Sequence, residues 1–287
     1  MILITGANGH LGTATIDFLL KKNTPASNIT ALVRDEAKGA ALAAKGIALR
    51  TGDYFDAGSL AAAFAGIDTL VFVSSGSIEN RLTQHENVVN AAKAAGVKHI
   101  IYTSVLKASD SLKFTAGIDH YHTETMLKKS GIPYTSFRNT FYVEVLPMLL
   151  GPALESGQWY YAAGDARANF ASRLDMAEAI ANVALTPSQH ANKIYEITSG
   201  QSYTFHEIAT VLSKVAGKTV SYIPIPVDAL KEGMKQAGVP ELYIPLFASI
   251  AEGIAAGEMD ATDSSLEKLL QRKPADLKEY LPKVLGA

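Results

Sequence analysis

Five residues into the chain a β-branched run gives way to glycine. Thr5-Gly6-Ala7-Asn8-Gly9-His10-Leu11-Gly12 follows the run Ile2 to Thr5 and precedes Thr13 to Leu20, whose apolar spacing reads as a helix. Strand, glycine turn and helix in that order constrain the fold more than any other feature. Gly6 permits the tight turn, Gly9 lets main chain approach a diphosphate, and Gly12 brings the helix close to the sheet. Asn8, His10 and Leu11 fill the turn and supply further amides. Unpaired N–H groups and the positive end of the helix dipole favour an anion there without a basic side chain. Such turns also join strands to helices for steric reasons alone, so the reading depends on the rest of the chain.

Beyond the turn the chain settles into a recurring alternation. Ile29 to Val33, Ile47 to Arg50, Thr69 to Val73, His99 to Thr103 and Tyr134 to Phe137 are short apolar runs separated by stretches long enough for crossover helices. This predicts an α/β chain with a Rossmann-type doubly wound parallel sheet. Asp56 is placed to cap the helix around Leu60 to Phe64, and Gly96 to stop the helix over Asn80 to Ala95. After Asn139 prolines at 147, 152, 187, 224, 226, 240 and 245 break the rhythm. The expected division is residues 1–140, a dinucleotide-binding domain, and 141–287, a smaller α/β C-terminal substrate lobe packed against it. Thr204 and Glu207 have capping-box spacing, and Ile194 to Thr198 is a candidate to return to the first sheet.

The strand ends carry further signals. Strand two ends at Val33 and is followed by Arg34, where a planar guanidinium suits a 2′-phosphate and Lys38 adds a second cation. The alternative is a solvated Arg34 paired with Asp35 or Glu36, and those acids could equally serve an NAD ribose. NADP is therefore expected ahead of NAD. Asp53, beside Tyr54 after strand three, can accept from an adenine amino group or simply form a turn. Ser74, Ser75 and Gly76 follow strand four at the carboxyl edge, where backbone contact to a cofactor is the favoured reading over serine nucleophilicity.

Composition closes off other chemistries. With a formal net charge of −2 and no basic run, nothing recommends nucleic acid as a partner. There is no cysteine, which excludes disulfides, thiolate metal sites and thiol catalysis. Mean hydropathy is +0.10, and no apolar run reaches the length of a membrane span, so a soluble cytoplasmic protein is expected. His120 and His122 lack metal partners at ligand spacing, and no metal is expected. Neither a G-x-S-x-G elbow nor a P-loop is present.

The whole set of motifs resembles the atypical short-chain dehydrogenase/reductase superfamily, in its NmrA-like branch of NADPH-dependent quinone oxidoreductases and triphenylmethane dye reductases. The carriers are the turn from Thr5 to Gly12, Leu32 to Arg34, Gly52 to Tyr54, Gly96 to His99, Tyr102 to Ser104, His120 to Glu124, Ile132 to Tyr134, and Arg138 with Asn139. The resemblance implies that Arg138 to Tyr142 lies beside the nicotinamide end, with Thr103, Arg138 and Asn139 on the cofactor. It also implies that Asn169 to Arg173 closes over cofactor or substrate. For Arg138 the competing reading is a salt bridge, and for Tyr142 a packed aromatic.

One departure matters. Active members of the wider superfamily use Tyr-x-x-x-Lys, in which lysine lowers the tyrosine pKa for proton transfer, but here Tyr121 is followed four places on by Thr125. Hydride transfer from NADPH to an electron-poor quinone or dye needs no strong enzyme acid and fits better. His120 is a candidate proton donor with a pKa near the working pH, Ser104 a candidate to orient substrate or to cap the next segment, and Tyr142 a candidate beside the reacting ring. The rival reading is an NADP-binding redox sensor. Phe141, Trp159, Tyr160, Tyr161 and Phe170 suit either an apolar ligand pocket or a partner surface, and a homodimer is left open.

Overall fold

In the computed structural model, which describes residues 1–286, every strand expected from the apolar runs forms. The order is β1 (Ile2–Ile4), α1 (His10–Lys21), β2 (Ile29–Val33), α2 (Ala40–Ala43), β3 (Ala48–Thr51), α3 (Ala57–Phe64), β4 (Thr69–Phe72), α4 (Arg81–Ala94), β5 (His99–Val105), α5 (Thr115–Ser130) and β6 (Tyr134–Asn139). There follow β7 (Phe141–Tyr142), α6 (Leu146–Leu150), α7 (Ala153–Ser156), β8 (Gln158–Tyr161), β9 (Arg167–Ala171), α8 (Arg173–Leu185) and β10 (Lys193–Ile197). The remainder is β11 (Ser202–Thr204), α9 (Phe205–Ala216), β12 (Ser221–Pro224), α10 (Val227–Gln236), α11 (Ile244–Ala255), α12 (Ser265–Leu270) and α13 (Leu277–Val284).

The chain forms two compact units. The first holds Met1–Val105, Asp119–Asn139 and Arg173–Tyr195; the second holds Leu106–Ile118, Thr140–Ser172 and the chain from Glu196 onward. A single boundary near residue 140 does not describe this. Arg173–Tyr195 rejoins the first unit because α8 buries Met176, Ile180 and Val183, packs on α1, and is tied to it by the Lys22–Glu178 ion pair at 3.2 Å. Strand β10 then takes the edge beside β6, as the Ile194 to Thr198 run implied.

The first unit is a seven-stranded sheet in the order β10-β6-β5-β4-β1-β2-β3. Pairs β1·β2, β1·β4, β2·β3, β4·β5 and β5·β6 are all parallel. Leu3, Ile4, Ala31, Leu70, Val71, Ile100 and Ile101 are fully buried, which is why these strands read as continuous apolar runs rather than alternating ones. Because β1 lies between β2 and β4, the connections from its two sides diverge at its carboxyl end. That divergence opens a crevice where open α/β sheets bind ligands. Asp56 caps α3 by accepting from the Gly58 and Ser59 amides.

In the second unit β11 pairs antiparallel and β7 parallel with β9, while β8 and β12 form a separate parallel pair. Thr204 and Glu207 form the expected capping box on α9. No described helix is long and apolar enough to cross a membrane.

Candidate active site

The turn after β1 is shaped by atoms it lacks. Gly6 has φ +57°, a conformation L side chains rarely adopt, and a Cβ on Gly12 would sit 2.4 Å from the Gly6 carbonyl oxygen and 2.8 Å from Ala7 Cα. Gly12 therefore serves the turn itself, where the sequence had suggested helix-to-sheet packing. The Gly9 amide donates to Gly6 O at 2.9 Å, and the Thr13 amide returns to Gly9 O at 2.9 Å. The amides of His10, Leu11 and Gly12 precede the first intrahelical bond, α1 has no side-chain cap, and its first turn carries no acid. The positive end of a twelve-residue helix is left open to an anion.

The glycine turn borders a cavity of about 670 Å³, within the usual range for small-molecule sites. Gly6, Asn8 and Gly9 form one side, Arg34 and Lys38 another, Asp53 and Tyr54 a third, and Ser74, Ser75 and Gly76 a fourth. His10, Leu11 and Gly12 do not line the cavity. Among the described residues neither Arg34 nor Lys38 has an ion-pair partner. Both acids that competed for Arg34 are engaged elsewhere: Asp35 Oδ1 accepts the Ala37 amide at 2.9 Å, and Glu36 Oε1 accepts from the Thr51 hydroxyl at 3.4 Å. Arg34 and Lys38 thus line a cavity that Asp35 also lines, and Asp35 holds the Ala37 amide rather than either cation.

Asp53 forms the local turn, with Oδ1 accepting the Phe55 amide at 2.9 Å, and the residue also lines the cavity. Tyr54 lines it too, but its hydroxyl donates to Val73 O at 2.8 Å and meets Thr5 Oγ1, so the phenol ties β1 to β4, and burial pushes its pKa far up. Thr103 does not reach the cavity wall. It accepts the Ser74 amide at 2.9 Å and donates to Ser74 Oγ at 3.2 Å, which fixes the start of the loop after β4. Sequence reasoning missed Phe55, Ser77 and Gln84, which also line the cavity. Phe55 is 58% exposed, and it was discoverable by extending the Gly52-Asp53-Tyr54 loop one residue further.

At the far ends of β5 and β6 the polar groups differ. Ser104 Oγ and both carboxamide atoms of Asn139 are buried with no hydrogen-bond partner, an arrangement that costs roughly 1–3 kcal/mol per unsatisfied group. Arg138 is held otherwise. Its Nη2 and Nε meet Glu124 Oε2 and Oε1 at 2.7 and 3.0 Å, and it lines a second cavity of about 620 Å³ with Tyr121 and Lys128 rather than the first. The salt-bridge reading of Arg138 describes its position, and Arg138 does not line the first cavity.

His120 requires a correction. Its ring is buried, Nδ1 lies 2.7 Å from the Tyr102 hydroxyl, and burial, reinforced by the Arg81 charge, holds its pKa well below 6.5. It is a neutral core residue near pH 7 and is not poised as an acid there. Neighbouring His122 is exposed on the other side of the helix, and no cluster of three metal-ligating side chains occurs among the described residues.

In the second unit Tyr142 is half-buried in β7 beside β9. Trp159, Tyr161, Phe170 and Phe205 are buried, Trp159 Nε1 donates to Leu149 O at 2.8 Å, and Tyr161 stacks on Phe205 at 5.3 Å. These aromatics are core, and of the set only Tyr160 is exposed. Asn169 lies within paired strand β9 and bonds Gln201 O and the Ser199 amide, so this part of the expected closing segment is fixed structure.

Similarity to known proteins agrees with this geometry. The NmrA-like family matches residues 1–281. The chain belongs to that family. It is 39% identical over 279 residues to quinone oxidoreductase 2 of Escherichia coli K12, covering 97% of this chain and 96% of the relative. The crystal structure of an NADPH-dependent quinone oxidoreductase from E. coli complexed with NADPH superposes with a TM-score of 0.94, covering 99% and 100% of the two chains at 38% identity. Triphenylmethane reductase of Citrobacter sp., complexed with NADP(H), superposes at 0.92 with 39% identity, covering 99% of this chain and 100% of the other.

Proposed function

We propose that this NmrA-like protein is an NADPH-dependent reductase that delivers hydride to a quinone or a similar electron-poor aromatic acceptor. The observation that carries the reading is the cavity that Gly6, Asn8 and Gly9 of the glycine turn line together with Arg34 and Lys38, two cations without protein partners among the described residues. The glycine-turn backbone, from Gly6 through Gly9 to the amides of His10, Leu11 and Gly12, would hold the diphosphate. Arg34 and Lys38 would hold the 2′-phosphate, and the second oxygen of Asp53 would accept from the adenine amino group. The orphan atoms of Ser104 and Asn139 offer a hydroxyl and a carboxamide at the carboxyl ends of β5 and β6, for the nicotinamide end.

When bound, NADPH supplies the hydride. The chain's own contribution is binding and orientation, because Tyr121 has no lysine four residues on and His120 is neutral and buried. An acceptor whose reduced form delocalises its charge needs no strong protein acid, and proximity then provides most of the rate. The one proton that converts the hydroquinone anion into hydroquinone comes from solvent. We assign acceptor binding to the second unit, whose half-buried Tyr142 is the residue carried over for that role.

The test is direct: purified protein, NADPH and a panel of quinones and cationic dyes, monitored by loss of nicotinamide absorbance. Turnover with at least one acceptor is expected. Saturable NADPH binding with no oxidation across the panel, together with a protein retained in pull-down, would replace the reductase by a redox sensor.

A further inference from the structure

Ser75, in the loop between β4 and α4, has every polar group taken. Its amide donates to His85 Nε2 at 2.9 Å, its carbonyl accepts from Arg81 Nε at 2.9 Å, and its hydroxyl donates to Gln84 Oε1 while accepting the Ser77 amide at 3.0 Å. Arg81, Gln84 and His85 are spaced i, i+3, i+4, so one face of the first turns of α4 grips one loop residue. All three are buried. That face is itself braced by a matching i, i+4 pair on α5. Arg81 Nη1 meets Asp119 Oδ2 at 3.2 Å, and His85 Nδ1 lies 2.8 Å from Thr123 Oγ1, whose own proton goes to Asp119 O at 2.8 Å.

The bonds fix a tautomer. Because Nε2 accepts from the Ser75 amide and the Thr123 proton is already spent, His85 carries its proton on Nδ1 and is neutral. An imidazolium could not accept from Ser75. The ring is also wedged between Phe72 and Tyr102, with centroids 4.9 and 5.7 Å away.

The loop so held borders the first cavity. It begins at Val73, whose side chain would be 3.2 Å from a Cβ on Gly6, so it starts beside the glycine turn. The amides of Ser74, Ser75 and Ser77 are used by Thr103, His85 and Ser75 respectively. Among the described residues, the Gly76 amide in that run is the one without a protein acceptor, and Gly76 is exposed on the cavity wall.

We infer that Arg81, Gln84 and His85 form a clamp that preorganises the loop 74–77 to receive the dinucleotide, with the Gly76 amide as the donor left for it. The three are positioning residues: Arg81 and His85 act through Ser75, and Gln84 in addition lines the cavity. Holding the loop before binding lowers the ordering cost charged against cofactor affinity. The clamp rests on the NADPH reading of the cavity and adds what sets affinity there.

The experiment compares His85→Phe, which keeps the ring packing but removes the acceptor, with His85→Gln, which restores an acceptor near the Nε2 position. Melting temperature, NADPH Kd by calorimetry, KM for each substrate and kcat are measured on folded protein. His85→Phe should raise NADPH Kd and KM about 10-fold, the effect of leaving one buried donor unsatisfied, with acceptor KM and saturated kcat within about 2-fold. His85→Gln should recover most of the loss. Wild-type NADPH affinity in folded His85→Phe, or equal losses in the two variants, overturns the clamp. Should His85→Phe fail to fold, a cycle of Ser75→Ala and Gln84→Ala decides: a double variant no weaker for NADPH than the worse single supports the clamp, and additive losses overturn it. Failure of the wild-type protein to bind NADPH would strike the functional reading instead, before any variant is compared.

Discussion

The glycine turn and the β4–α4 loop border the same cavity by opposite means. The turn is shaped by missing side chains, since a single carbon on Gly12 would collide with the Gly6 carbonyl. The loop is shaped by side chains that occupy each polar group of Ser75. A steric constraint of the first kind is absolute and local. A hydrogen-bonded one of the second kind is graded, because each bond contributes about 1 kcal/mol net and can be removed alone. Damage to the turn should therefore be nearly all-or-none, and damage to the loop incremental.

The largest effect tests the turn. Gly12→Ala should destabilise the fold by roughly 1–3 kcal/mol and lower NADPH affinity at least about 100-fold, read by denaturant unfolding and calorimetry. A variant that binds like the wild type would erase the contrast with the loop. Next in size is Arg34→Ala, expected to weaken NADPH about 10- to 100-fold and NADH by less than about 2-fold, since only one of them presents a 2′-phosphate to the unpaired guanidinium. Parallel losses would remove Arg34 from that role.

Smaller is the acid response of the loop's support. Burial lowers the pKa of His85 to about 3 and of His99 to about 4, and holds His120 well below 6.5. The unfolded chain therefore takes up protons below pH 6.5 that the folded chain refuses, so stability is full above about 6.5 and falls as pH drops toward these values. The slope is at most roughly 1.4 kcal/mol per pH unit for each histidine. Unfolding free energies measured from pH 7 to 5 should decline, with a shallower decline in His85→Gln; a flat profile would contradict neutral buried imidazoles. The smallest effect is on turnover in His120→Asn. It should change kcat less than about 3-fold and leave its pH profile between 6 and 8 in place, whereas loss of an ionisation there would restore His120 as an acid.

The legible part of the fold and site was the part written in one short stretch of chain. Strands buried on both faces announce themselves as apolar runs, and Gly6 and Gly12 sit where the backbone angle or the space requires glycine. Arg34 comes directly after its strand. The grip on Ser75 was not readable, because it needs α4 and α5 in register, with Asp119 and Thr123 far along the chain from Arg81 and His85. The partner of Arg138 was unreadable for the same reason: Glu124 comes from a helix, and the orientation of both depends on which face of β6 meets α5. His120 looked like an acid because sequence shows a titratable group without showing its burial. The aromatics from Trp159 to Phe170 gave no sign of whether they faced ligand or core.

Strand β10 and helix α8 have a consequence for how the chain reaches its native state. The sheet that begins at Ile2 is finished only by residues after Arg173, so a nascent chain emerging from the ribosome must expose one flank of α1 and one edge of β6 until nearly 200 residues have been synthesised. Cutting near residue 140 would not release an autonomous nucleotide-binding fragment; it would strand that edge and apolar flank in water, ready to pair with whatever neighbour arrives first.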